Sequence, residues 1–263
     1  MKVSTSWEKS ADWYQNLLTE ENTYQKNLIL PNLLRLLEIK KGETILDLAC
    51  GPGFFAKEFF KKGARVIGAD ISESLIKAAK ENSPETIRYY VSPAVRLPFI
   101  KSSSINKITI ILAIQNMDNV RGIFTECARA LKPGGKLLLV LNHPAFRNPK
   151  QSEWEWDAEK KIQYRRMDSY LSESKAKIDM RPSTSSQPMQ GSGGQARQVP
   201  SEYTISFHRP LQFYFKALEK SGFAVTRLEE WNSNKKSRLG PRAEAENKAR
   251  KEIPLFLFLE ARK

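Results

Sequence analysis

Ile45–Gly53 reads I-L-D-L-A-C-G-P-G. A short apolar run carries an acid, Asp47, and passes at once into a turn holding Gly51 and Gly53. Phe54–Lys62 then has the residue spacing of a helix. Strand, glycine turn and helix in that order make a nucleotide-binding geometry. Glycines let the backbone approach a ligand with no Cβ in the way, and the helix N-terminus offers free N–H groups. The turn is D-x-A-x-G-x-G and not the G-x-G-x-x-G of dinucleotide folds, so no pyrophosphate is implied.

A second acid extends the pattern. Arg65–Ile71 (R-V-I-G-A-D-I) reads as the next strand, with Asp70 at its end. A carboxylate about twenty residues after the glycine turn is placed to accept ribose hydroxyls. The other reading of Asp70 is a helix N-cap, a job for which Ser72 competes. Working outward, apolar strands are expected at 44–49, 65–70, 87–91, 107–113, 136–142, 224–230 and 254–261. Helices are expected at 7–18, 25–38, 53–62, 73–82, 120–131 and 211–221, Pro31 starting or kinking the second. Ile108–Ile114 and Leu137–Leu141 are continuously apolar, which calls for burial on both faces and a mostly parallel sheet. The result is a doubly wound α/β fold with ligands at the carboxyl ends of its strands.

The chain length of 263 residues fits one such domain with a large insertion. We divide it into an N-terminal helical cover (1–40), a core (41–143), a cap insertion (144–206) with a flexible Ser/Gly/Gln/Pro-rich loop at 182–199, and a C-terminal return to the core (207–263). Two cysteines, Cys50 and Cys127, make no disulfide framework, and a reducing cytoplasm is the natural expectation. Met1–Asp12 has no apolar signal-peptide core, and no apolar run reaches the ~18 residues of a membrane span. Net charge is +14 but dispersed; the densest segment, Lys235–Lys251, reads first as a solvated helix face and second as a nucleic-acid contact. The two histidines and two cysteines are scattered, so no metal site is expected.

The D-x-A-x-G-x-G turn with its following acid resembles motif I of the class I S-adenosylmethionine (SAM) dependent methyltransferases. Further stretches fit that family: V-R-L-P-F at 95–99, C-A-R-A-L-K-P-G-G-K-L-L-L-V at 127–140, and F-H-R-P-L at 207–211. The likeness covers about Leu17 to Lys263 and lies nearest the small-molecule and ubiquinone-biosynthesis-like methyltransferases. It implies a Rossmann-like, seven-stranded, mostly parallel sheet with an antiparallel last strand, and SAM as cofactor (S-adenosylhomocysteine, SAH, as product). Carried over by residue, Ala49, Gly51 and Gly53 line the methionine part of SAM, Asp47 reaches its amino group, Asp70 takes the ribose and Ile71 one face of adenine. The family often has an Asp four residues before the L-P-F leucine. Pro93 stands there instead, leaving Ser92, Ala94 and backbone to hold adenine.

Methyl transfer from a sulfonium is an in-line displacement that requires no metal. Gln115, at the end of the fourth strand, is the first candidate for the floor of the transfer site, with Asn116 beside it as substrate residue or helix cap. His143 and His208 are candidate bases, each with an alternative as a turn residue. Arg209 is placed either to bind a substrate carboxylate or phosphate or to pair on the surface. Trp154 and Tyr164, with Trp156, make either an aromatic lid or packing for the insertion; Tyr14 and Tyr24 either cover the cofactor or pack. The leading expectation is a methyltransferase acting on a small molecule. An RNA- or ribosome-associated methyltransferase and a non-catalytic SAM-binding regulatory subunit are the alternatives. No membrane span is expected, and the oligomeric state stays open.

Overall fold

The computed structural model describes residues 7–8, 11–179 and 203–263. Helices α1 (Ala11–Thr19) and α2 (Leu30–Leu37) precede the alternating core of β1 (Thr44–Leu48), α3 (Phe54–Lys61), β2 (Arg65–Asp70), α4 (Glu73–Glu81), β3 (Arg88–Val91), β4 (Ile105–Ile111), α5 (Val120–Ala130) and β5 (Leu131–Asn142). An insertion adds β6 (Ser152–Asp157), β7 (Ile162–Met167), β8 (Ser174–Asp179) and β9 (Tyr203–His208). The chain then returns through α6 (Leu211–Lys220), β10 (Ala224–Trp231), α7 (Ala243–Glu252) and β11 (Phe256–Arg262).

Seven strands form one sheet in the order β10–β11–β5–β4–β1–β2–β3. The β1, β2, β3, β4 and β5 pairings are parallel, and β11 runs antiparallel to both β5 and β10. This is the expected doubly wound sheet with an antiparallel last strand. Its continuous apolar runs have a direct cause: the pleat sends alternate residues to opposite cores. Leu137, Leu139 and Leu141 join the core packed by α5 and α6, while Leu138 and Val140 join the one packed by α2 and α3.

Several details differ from the sequence reading. The first helix begins at Ala11, with Trp7 and Glu8 in a turn. The stretch 25–38 is a π-helical turn, Gln25–Ile29, that passes into α2, with Pro31 in the first turn where its missing N–H is harmless. β5 starts at Leu131, before the Pro133-Gly134-Gly135 turn. Leu131 already pairs with Ile105, and pairing resumes at Lys107–Lys136 after a register shift that Gly134 absorbs at φ +73°. The cap also falls elsewhere: Asn119, not Asn116, caps α5 by accepting from Gly122 N at 2.9 Å. The insertion forms two antiparallel pairs, β6–β7 and β8–β9, and the loop expected at 182–199 lies outside the described residues. Among the described residues no helix is long and apolar enough to cross a membrane.

Leu139 is fully buried in the middle of the sheet. Leu139→Ala is expected to lower unfolding stability by about 2–5 kcal/mol, the range for an aliphatic side chain deleted from a core that collapses only partly. A shift of the urea midpoint at constant slope checks it.

Candidate active site

The glycine turn is built from left-handed backbone. Ala49, Gly51 and Gly53 sit at φ +59°, +52° and +78°. A Cβ at Gly51 would come within 3.2 Å of the Tyr14 ring, and one at Gly53 within 2.5 Å of the Tyr89 hydroxyl, so both glycines answer close approaches. They differ in what they face. Gly51 and Ala49 lie on the wall of a large cavity; Gly53 starts α3 and packs against Tyr89.

Two buried acids stand behind this turn. Asp70 accepts from Gly51 N (2.9 Å) through Oδ2 and from Ser72 N (3.0 Å) through Oδ1. Ser72 is the N-cap of α4, its hydroxyl accepting from Leu75 N, so Asp70 is free of that job. Burial raises the Asp70 pKa despite these amides. Asp47 accepts from the Thr109 hydroxyl at 2.9 Å through Oδ1, and its Oδ2 is buried without a hydrogen-bond partner among the described residues. Burial pushes its pKa up to about 7 against the pull of Thr109, and the Asp70 charge adds to the rise.

The cavity has a volume of about 520 Å³, within the range of small-molecule sites. It opens along the carboxyl ends of β1, β2 and β4. Gly51, Asp70, Ile71, Ser92, Pro93 and Ala94 line one end, and Gln115, Asn116, Asn142 and Arg147 belong to the other. Trp7, Trp13, Tyr14, Leu17 and Tyr24 contribute the cover, and Ile178, Thr204 and Ser206 come from the β8–β9 pair. The cover is latched outside the cavity: the Glu8 carboxylate accepts from Glu73 N (2.6 Å) and from the Ser74 hydroxyl (2.5 Å) at the start of α4. Ser92 donates its hydroxyl to Arg96 O at 2.7 Å, which leaves Oγ only as an acceptor toward the cavity.

Gln115 donates Nε2 to Leu112 O at 2.7 Å, and its Oε1 is buried without a partner among the described residues. Leu112 is itself left-handed at φ +52°, the strained residue of this end of the site.

Neither histidine takes part in the wall of the large cavity. His143 Nδ1 accepts from Ala145 N at 3.1 Å, so Nε2 carries the proton and donates to Glu230 Oε1 at 2.8 Å. With both nitrogens engaged it holds the turn after β5, and burial lowers its pKa. His208 donates Nε2 to Tyr170 O at 2.8 Å. Arg209 donates Nη2 to Met117 O (2.8 Å) and Asp118 O (2.9 Å). Trp154 and Tyr164 are away from the cavity in the β6–β7 hairpin. Trp154 packs edge-on to Phe146 under Arg165, and Tyr164 donates to Glu155. Trp156 packs under Arg242, and no residue of Lys235–Lys251 reaches the described cavity wall.

Arg147, Trp13, Leu17 and Ser206 are wall residues that the sequence reading missed. Trp13 carried a signal, because a large aromatic off the Trp7–Ala11–Tyr14–Leu18 stripe needs its own partner. Arg147 carried none, since it is placed by the turn after β5. Among the described residues no group of three or more His, Cys, Asp or Glu is arranged to hold a metal.

Comparison with known proteins agrees with this geometry. Residues 46–139 match the model of a methyltransferase domain. A demethylmenaquinone methyltransferase of Corynebacterium glutamicum (strain R) is 34% identical over 104 residues, which cover 40% of this chain and 44% of that protein. The chain therefore spans under half the length of such curated relatives. A SAM-dependent methyltransferase structure from Mesorhizobium loti matches with TM-score 0.68 and 25% identity over 92% of this chain and 99% of its own. One from Methanosarcina mazei matches in fold, with TM-score 0.54 at 17% identity over 88% and 96%. Residues 46–139 thus match a methyltransferase domain, and solved structures that share the fold are SAM-dependent methyltransferases, which makes SAM the cofactor to set against this wall.

The residues present fit that cofactor. On the cavity wall the remaining lone pairs of Asp70 suit two hydroxyls and Ser92 Oγ can accept from an exocyclic amine, whereas Asp47 is buried behind the turn and is not a wall residue. Burial, which raises the Asp47 pKa, makes folding stability depend on pH, and urea midpoints measured from about pH 4 to 8 read it. The stability effect has the opposite sign to the usual carboxylate. A folded pKa above the unfolded ~3.9 means that stability falls as pH rises from about 4 through 7, a slope that Asp47→Asn removes.

Proposed function

We propose that the chain transfers a methyl group from SAM to a small-molecule acceptor by in-line displacement, without a side-chain base. The observation that carries this reading is the single cavity that joins Gly51 and Asp70 at one end to Gln115, Asn116 and Asn142 at the other, under an aromatic cover. SAM, when bound, supplies a methyl carbon already activated by its sulfonium. What is asked of the protein is to hold the acceptor atom in line and to keep water out. Asp70, the Gly51 turn and Ser92 are assigned to the cofactor. Gln115 Oε1, buried and unpaired among the described residues, is assigned to a donor hydrogen on the acceptor near the reacting atom. Trp7, Trp13 and Tyr14 shield the site.

The absence of a base follows from the wall. Its titratable residues among those described are Tyr14, Tyr24, Asp70, Asp118 and Arg147. Asp70 is tied to two amides, Asp118 is exposed, and burial raises the Tyr14 phenol far above neutrality, with Asp70 and Asp47 adding to the rise. An acceptor that is nucleophilic as it arrives, an amine or an acidic hydroxyl or carbon, suits this wall. The relatives named as demethylmenaquinone methyltransferases support a small-molecule acceptor over a macromolecular one.

Titration calorimetry with SAM and SAH is expected to give micromolar binding, weakened about 10- to 100-fold in Asp70→Ala, which loses hydrogen bonds to a charged group. Radiolabelled methyl from SAM, offered with a cell extract, should then appear in the low-mass fraction. No SAM binding, or label confined to RNA, would refute the reading.

A further inference from the structure

Beyond the large cavity lies a recess of about 10 Å³, room for about one water-sized group. Gln115, Asn142, Arg147 and Ser206 line both spaces; Arg209 and Tyr214 close the recess. Its wall holds two guanidinium groups and no carboxylate.

Neither arginine is neutralised there. Arg209 is 4% exposed and sits between the rings of Phe207 and Phe213, at 4.6 and 5.2 Å. Its Nη2 is used up on two carbonyls, and its Nη1 is buried with no hydrogen-bond partner among the described residues. Its one acid neighbour, Glu173, stands 3.9 Å from Nε and is largely in solvent. Arg147 enters from the solvent side; the residue as a whole is exposed, yet desolvation around its guanidinium lowers its pKa. It forms no ion pair among the described residues. A buried cation with an open donor is costly unless an anion completes it, and a guanidinium fork matches a carboxylate.

We infer that the acceptor carries a carboxylate, seated between Arg147 and Arg209 at the recess, while its reacting part lies over Gln115. The inference rests on the methyltransferase reading and names its substrate class. The recess admits one oxygen of a planar carboxylate; the bulk of a phosphate exceeds it. The aromatic cover adds that the body of the acid is flat and apolar, and Oε1 of Gln115 adds that a donor hydrogen lies near the reacting atom.

The test uses three matched pairs: benzoate and benzamide, 4-aminobenzoate and 4-aminobenzamide, indole-3-acetate and indole-3-acetamide. Each is titrated by ligand-observed NMR into the full chain, with and without SAH. The acid is expected to bind about 10-fold more tightly than its amide in at least one pair. Arg147→Met should erase that preference while SAH affinity stays unchanged. Arg209→Lys, which keeps the charge but loses the fork, should reduce the preference in protein that melts as the wild type does. No acid preference in any pair, including no binding at all, or a preference that survives Arg147→Met, overturns the inference. Failure of SAH to bind would instead count against the methyltransferase reading, and the SAH-free titrations still decide the carboxylate site.

Discussion

One carboxylate braces the whole binding edge. Asp70 leaves β2 with both oxygens accepting backbone N–H groups, Gly51 from the loop after β1 and Ser72 from the start of α4. Those bonds fix the spacing of two loops from neighbouring strands, so the cavity wall stands before any ligand enters. The arrangement requires left-handed backbone at Ala49 and Gly51, and Ala49 adopts it without glycine's freedom at a cost of about 1 kcal/mol. The sheet bears that strain because β1, fully buried beyond Thr44, is gripped by β2 on one side and β4 on the other.

The cover is tied to the same edge. Glu8 occupies the amides at the start of α4, and the Tyr14 ring rests against Gly51. A carboxylate at a helix N-terminus is favoured by the unsatisfied amides and by the dipole. The Ser74 hydroxyl and the Glu73 and Ser74 amides hold the Glu8 carboxyl below its ordinary pKa although burial works to raise it. The latch is therefore charged at neutral pH.

What was legible in the sequence follows from chain-local physics. The core strands and α3, α4, α5 and α6 came through because burial on both faces writes continuous apolar runs into strands, and one-sided burial writes helical stripes. The placement of Ala49, Gly51 and Asp70 at one edge was legible because it depends on one strand–turn–helix unit and the strand beside it. The β6–β7 and β8–β9 pairs did not: Lys175, Lys177 and Asp179 alternate with Ala176 and Ile178 too weakly to mark a face. Nor did the fate of the aromatics. Trp154 and Tyr14 look alike in sequence, yet one is held in a hairpin by Phe146 and Arg165 and the other reaches Gly51 through the fold of the N-terminus.

The histidines and arginines make the same point about charge. A histidine just past a strand end is positioned like a base, but the role depends on whether a ring nitrogen is left open. For His143 the question is closed by Ala145 N and Glu230, one local and one distant in sequence. An arginine reads as surface charge until its partners are counted. Arg209 spends one nitrogen on the carbonyls of Met117 and Asp118, which fixes the end of the fourth-strand loop that carries Gln115. The guanidinium is thus held in place by bonds to neutral groups, and among the described residues its charge meets only the solvent-exposed Glu173 at 3.9 Å. A fold that buries a cation this way, with its acid neighbour 3.9 Å off and largely in solvent, leaves a buried donor open to an anion that arrives from outside.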